Sequence, residues 1–182
     1  FTAGMRIKQF AMCPFDALAN GVSVFCSQNL GAGTIKRIRT GLWQGVGVGF
    51  IYGLLIGLVL IFAGRSLYML FISADPAAVL VASAKYLRCL GCFYWSLGPL
   101  SVFRMSAQGM GFSGRAIFSG VTEMIARTFV SFAFVGTYGF TAICFADQTA
   151  WVSATLYITP VCLMCLRQVT REHERQRAKI AD

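Results

Sequence analysis

Apolar residues run along this chain in long blocks, broken by short polar or Gly-rich segments. The clearest block, residues 41–63, reads GLWQGVGVGFIYGLLIGLVLIFA and carries no charge over 23 residues. As a helix it would measure roughly 35 Å, enough to cross a hydrocarbon core. Four more blocks predict companions, so the expected helices cover about 3–29, 41–64, 77–107, 116–144 and 150–166. Residues 1–167 then form one transmembrane bundle and 168–182 a charged tail. Pro14 falls inside the first helix, where it cannot donate to the carbonyl of Phe10 and predicts a kink. Asp75-Pro76 looks like an N-cap followed by a first-turn proline for the third helix. A short turn is expected at 145–149, with Asp147 in it and Trp151 just inside at the interface.

Within the second helix, Gly41, Gly45, Gly49, Gly53 and Gly57 recur at every fourth position. In water such a helix would be poor, since each Gly costs about 1 kcal/mol against Ala. In lipid a ridge of small residues lets another helix backbone come close.

Composition fits this class. Hydrophobic residues make up 57% and charged residues 13%, well away from the roughly 25% charged residues of soluble domains. The net charge of +9 could suggest nucleic acid, but the cations flank the apolar blocks and form no single stripe. They set an orientation instead. Segments 34–40, position 115 and the tail from 167 hold nine Lys/Arg, whereas 65–76 and 145–149 hold only Arg65. By the positive-inside rule the former are cytoplasmic, with positions such as 73 and 148 outside. Arg104, near the inner end of the third helix, is expected to snorkel to the interface. The first helix then starts outside. That start, together with an opening Phe1, predicts a piece of a longer chain; no secretory signal pattern is present.

Candidate chemistry is sparse. Cys89/Cys92 and Cys162/Cys165 are CxxC pairs, but they lie in apolar helices without the flanks of a zinc site, so no metal is expected. Gly109–Gly114 matches GxGxxG without a strand before it, and predicts a turn. The sole histidine, His173, is in the tail, and no nucleophile–base constellation can be built, so neither catalytic residues nor an enzyme are expected.

Two polar features remain. In the first helix Gln9, Asp16, Asn20, Ser23 and Ser27 fall within about 40° of one direction. Such a stripe faces a bundle interior or a watery cavity, or serves interhelical hydrogen bonds. Asp16, Asn20 and Ser23 are its candidate cation- and substrate-binding residues, Asp16 foremost because an intramembrane acid is a functional candidate by default. In the fourth helix Glu123 and Arg127 are spaced to pair at i, i+4, as a structural ion pair or as part of a gate.

The residues that carry a resemblance are now in place. RIKQF at 6–10, VFCSQNLGAG at 24–33 with IKRIR after it, YLR at 86–88, Arg104 with QGMG at 108–111, Glu123-x-x-x-Arg127 and Ala150-Trp151 are similar, in order, to the multidrug and toxic compound extrusion (MATE) transporters. The resemblance implies an all-α fold, helices eight to twelve of a twelve-helix, two-lobe transporter whose N-terminal lobe is the missing partner. It implies a secondary antiporter in the bacterial inner membrane. Such a protein exports amphipathic organic cations in exchange for Na⁺ or H⁺, with no other cofactor, and its C-terminus is cytoplasmic. Many members carry an acid in the tenth helix. Residues 77–107 contain none, which leaves Asp16, or acids of the other lobe, to supply coupling. A related lipid-linked oligosaccharide flippase and a non-transporting membrane scaffold are the alternatives.

The orientation is testable by labelling. A single cysteine at Arg37 should react with an impermeant maleimide only after the membrane is permeabilised. Labelling in intact cells would reverse the assigned topology.

Overall fold

The computed structural model describes the backbone of residues 2–71 and 77–181, and side chains over most of that range. Five helices follow one another: α1 (Thr2–Gly31), α2 (Ile35–Phe71), α3 (Ala77–Gly109), α4 (Ser113–Tyr138) and α5 (Phe140–Ala181). No strand occurs among the described residues, so the all-α bundle expected from the apolar blocks is the observed class. Four of the helices contain stretches long and apolar enough to cross a membrane. The helices continue through Pro14, Pro99 and Pro160. The expected Asp75-Pro76 cap and position 73 lie outside the described residues.

Boundaries differ from expectation at the α4–α5 junction. The break falls at Gly139, whose φ of 53° is left-handed, and not at 145–149. A glycine takes this conformation without the steric penalty of a Cβ. Asp147 therefore sits two turns into α5. Trp151 is in the core at 2% exposure, and Gln148 is buried, so position 148 is not an outer loop site. The basic segment from 167 is also helical, a direct extension of α5.

The two inner turns share one construction. After α1, Gly33 N–H donates to Leu30 O and Thr34 N–H to Asn29 O; after α3, Gly111 N–H donates to Gln108 O and Phe112 N–H to Ala107 O. Gly33 and Gly111 both have positive φ. This is the Schellman pattern, with glycine at the left-handed position beyond the helix end. It accounts for the GxGxxG match as a turn.

The glycine ridge of α2 meets two helices, not one. Each four-residue step turns the helix by about 40°, so five glycines sweep roughly 160°. Gly41 and Gly45 lie under Phe25 and Val22 of α1. The other three face α3. A methyl built on Gly49 would sit 3.1 Å from Gly98 Cα, on Gly53 2.7 Å from the Tyr94 carbonyl oxygen, and on Gly57 2.5 Å from the Gly91 carbonyl oxygen. Backbone lies against backbone there, the contact that small residues permit in membranes. The opposite side of α2 presents Trp43, Val48, Ile51, Leu55, Leu58 and Phe62 outward, an apolar surface suited to lipid.

Among the described residues α3 touches every other helix, while α1 makes no close backbone approach to α4 or α5. A file of rings crosses the bundle through α3: Tyr52–Phe15 (4.9 Å), Phe15–Tyr94 (5.9 Å) and Tyr94–Trp151 (5.7 Å). Tyr52 Oη donates to Ala11 O and Tyr94 Oη to Lys8 O, so the buried hydroxyls are satisfied.

Gly53→Ala should destabilise the bundle by about 1–3 kcal/mol, because α2 and α3 must separate. Gly47→Ala, where nothing lies within 4 Å, should be neutral. Thermal unfolding in detergent compares them. Equal melting temperatures would remove the packing role assigned to the ridge.

Candidate functional site

The expected pair of α4 is present, but it is one link in a longer chain of charges. Arg127 Nη2 donates to Glu123 Oε1 at 3.3 Å. The other oxygen of Glu123 is taken at 2.7 Å by Arg104 Nη2 of α3. Arg104 Nε donates to Ser119 Oγ at 2.8 Å. Arg104 thus reaches across to α4 and does not snorkel: a carboxylate within reach is a better partner than the interface. Arg127 Nη2 also contacts Asp147 Oδ1 of α5 at 3.0 Å. Asp147 Oδ2 accepts from Lys8 Nζ of α1 and, at 3.3 Å, from Tyr86 Oη of α3. Lys8 Nζ stands 5.2 Å from the Trp151 ring centre.

The result is an alternating ladder, Arg104–Glu123–Arg127–Asp147–Lys8, with rungs on four helices. Arg104 lies five residues before the inner turn and Arg127 fourteen after the start of α4, so the ladder climbs from roughly 8 Å to roughly 20 Å above that turn. Lys8 and Asp147 are 14% and 17% exposed, Glu123 19%, Arg104 28% and Arg127 46%. Pairing lets such groups reside at membrane depth. Since the α1 and α5 backbones stay apart, the Lys8–Asp147 pair is the described polar tie between these two helices.

The stripe on α1 divides. Its inner end is interhelical hydrogen bonding: Ser27 Oγ donates to Gly109 O at 2.8 Å, and Gly109 lies against the backbone of Ser23. Its outer part, Gln9, Asp16 and Asn20, is exposed. At 100° per residue Asp16 and Asn20 lie roughly 80° and 120° round α1 from Lys8, on the side away from Val22 and Phe25 that face α2. The structure does not join Asp16, Asn20 and Ser23 to the Glu123–Arg127 pair: Asp16 and Asn20 form a separate exposed flank of α1, and Ser23 packs against Gly109 of α3.

Lys8, Tyr86, Arg104 and Asp147 were not among the sequence candidates. A signal existed. Of seven acids only Asp16, Glu123 and Asp147 fall within the described apolar helices outside the basic extension, so the intramembrane cations had few possible partners. Cys162 and Cys165 are buried in the core, and no group of three or more His, Cys, Asp or Glu that could hold a metal occurs among the described residues.

These features define a multi-pass membrane helix bundle with paired charges at membrane depth. The MatE family profile matches residues 1–132, and the chain belongs to that family, whose members are membrane transporters and not enzymes. An FAD transporter of Shewanella oneidensis is 32% identical over 103 residues, 57% of this chain and 22% of the relative, so the match spans about a fifth of that protein. No solved structure matches the chain.

Removing one rung should strand its partners. Asp147→Asn should destabilise by about 1–3 kcal/mol, less than the loss for a fully buried pair because Arg127 is partly exposed. Adding Lys8→Gln should produce less than the sum of the two single effects. A double-mutant cycle by thermal unfolding measures this; strict additivity would show that the pair is not energetically linked.

Proposed function

We propose that this chain forms part of the C-terminal lobe of a secondary antiporter. It exports amphipathic organic cations from the bacterial cytoplasm in exchange for Na⁺ or H⁺, and works against a second, N-terminal lobe of the same protein. Its five helices cross the inner membrane, with the basic α5 extension in the cytoplasm. Family membership supports transport. The observation that carries the exchange mechanism is the open α1 flank: Asp16 is exposed on an apolar helix and has no hydrogen bond or ion pair among the described residues. A carboxylate facing lipid is expensive, so this flank is best explained by a water-filled cavity between lobes. There Asp16 holds one cation at a time. Substrate, Na⁺ and H⁺ compete for it, and competition across two access states is exchange. Asn20, one turn further along, offers a neutral oxygen, and Ser23, a second turn on, stands at the flank's inner margin against α3.

A second cargo class, organic anions bearing phosphate, draws support from the FAD cargo in the name of the Shewanella relative and from the cation excess of the ladder, with three basic groups against two acids.

Asp16→Asn keeps shape and removes the charge. Cells expressing it should lose ion-driven efflux of a cationic dye at every pH, with membrane abundance near normal. Asp16→Glu should retain partial efflux. Normal dye efflux by Asp16→Asn would make Asp16 a structural residue and move coupling elsewhere.

A further inference from the structure

The outer side of α5 changes character along its length. Exposed positions follow one another at Leu156, Pro160, Met164, Arg167, Arg171 and Arg175. At 100° per residue they fall within a sector of about 100°, so they form one continuous face. Its first half is apolar and suited to lipid, and its second half is a row of three arginines. The change falls between Met164 and Arg167, within one turn, so the row begins where the apolar face ends. The opposite side of the same helix is docked. Leu166 and Val169 pack into the core, and the His173 ring lies over the α1–α2 turn, where a methyl built on Gly33 would stand 2.8 Å from Cε1. Arg115 Nη1, at the start of α4, donates to Gln168 Oε1 at 3.3 Å, and Gln168 Nε2 donates to Glu172 Oε1 at 2.9 Å. The extension thus rests on both inner turns, which fixes the side on which the arginines stand. Arg167, Arg171 and Arg175 have no side-chain hydrogen bond or ion pair among the described residues, and Glu174 beside them pairs with none of the three.

We propose that this arginine row binds the phosphate groups of anionic phospholipids in the leaflet that α5 leaves. The partner is a lipid surface, exemplified by phosphatidylglycerol. Two observations carry it: the row continues the lipid-facing stripe without a change of side, and its charge is complementary to an anionic leaflet. Depth agrees. Arg167 and Arg175 are roughly 12 Å apart along the axis, and the headgroup layer is about 5–8 Å thick. Side chains of a helix lean toward its N-terminus, which in this extension is toward the membrane. Arg167 and Arg171 therefore stand within that layer, and a side chain of arginine's length brings position 175 to its edge. The site rests on the cytoplasmic placement of the α5 extension proposed above, and it is independent of Asp16 and of the solute carried. It anchors the inner end of the helix that also holds Asp147.

The test reconstitutes the full chain in phosphatidylcholine bilayers with a trace of spin-labelled phosphatidylglycerol or spin-labelled phosphatidylcholine. Electron paramagnetic resonance then counts the label immobilised against the protein. The native chain should favour phosphatidylglycerol at least about fivefold, the effect of one cation near an anionic surface. Combining Arg167→Gln, Arg171→Gln and Arg175→Gln should remove most of that preference. Phosphatidylcholine association should stay the same in this variant, which shows that the lipid-facing surface is intact. Lysine at the same three positions should keep the preference, because it keeps the charge. Combining Lys36→Gln, Arg37→Gln and Arg39→Gln, at the exposed start of α2, should leave most of it. Equal association of the two lipids with the native chain would overturn the site. So would a preference that survives without the three arginines, that lysine fails to restore, or that vanishes with the α2 cations alone. Displacement of the labelled phosphatidylglycerol by soluble glycerol 1-phosphate or by polyglutamate would assign the row to a solute or an acidic protein, and overturn it too. Maleimide labelling at position 37 checks the cytoplasmic placement, and dye efflux by Asp16→Asn checks the exchange mechanism, so failure of either is told apart from failure of the lipid site.

Discussion

Backbone contact between α2 and α3 sets the position of everything else in this bundle. Three glycines of α2 lie against Gly98, Tyr94–Trp95 and Gly91 at distances that admit no side chain. With no hydrophobic driving force between helices in lipid, such packing is what holds them together. It draws α3 into the centre, where it touches all four other helices. From there α3 supplies a polar residue to each of the three helices other than α2: Tyr94 to the carbonyl of Lys8 in α1, Tyr86 to Asp147 in α5, and Arg104 to Glu123 in α4. The buried Tyr94 and Trp151 make the same central layer rigid and place the Lys8 ammonium over an aromatic face.

Charge is the second constraint. Inside a membrane each ionised group needs a partner, and this chain satisfies five of them as one continuous ladder. A shared network differs from separate pairs, because moving one rung changes the partners of the next. Arg127 contacts two carboxylates, and Asp147 contacts cations from α1 and α4, so displacement of α1 relative to α5 would be felt at Glu123. Asp16 stands apart from this network. The ladder's charges are paired across four helices, whereas Asp16 on another face of α1 has no ion pair among the described residues.

The helices were legible in the sequence because lipid demands long uncharged blocks and leaves a strong signal. The glycine ridge was legible as a packing face. Its division between two neighbours follows from the 40° drift per step, which only a partner geometry turns into named contacts. The α4–α5 junction was misplaced because Asp147 looked like a loop residue. Gly139 carries the turn, and two cations from distant helices make the acid tolerable in α5. Lys8 and Asp147 are 139 positions apart, and no local periodicity links them. The local i, i+4 pair was readable; the three cross-helix links that extend it were not. For the α1 stripe, periodicity alone could not tell which members meet a neighbour: the α3 terminus takes Ser27 into an interhelical hydrogen bond, whereas Asp16 is exposed.

The Lys8–Asp147 pair is the described ion pair between α1 and α5, whose backbones make no close approach and are bridged by the rings of α3. Spin labels at the exposed positions Gln9 and Thr149 would report the distance between these two helices by double electron–electron resonance in nanodiscs. The native pair predicts one narrow distance distribution, and Asp147→Asn predicts a broader distribution shifted to longer distance. An unchanged, narrow distribution in Asp147→Asn would mean that packing alone fixes α1, and the ladder would lose its place as the element that ties α1 to α5.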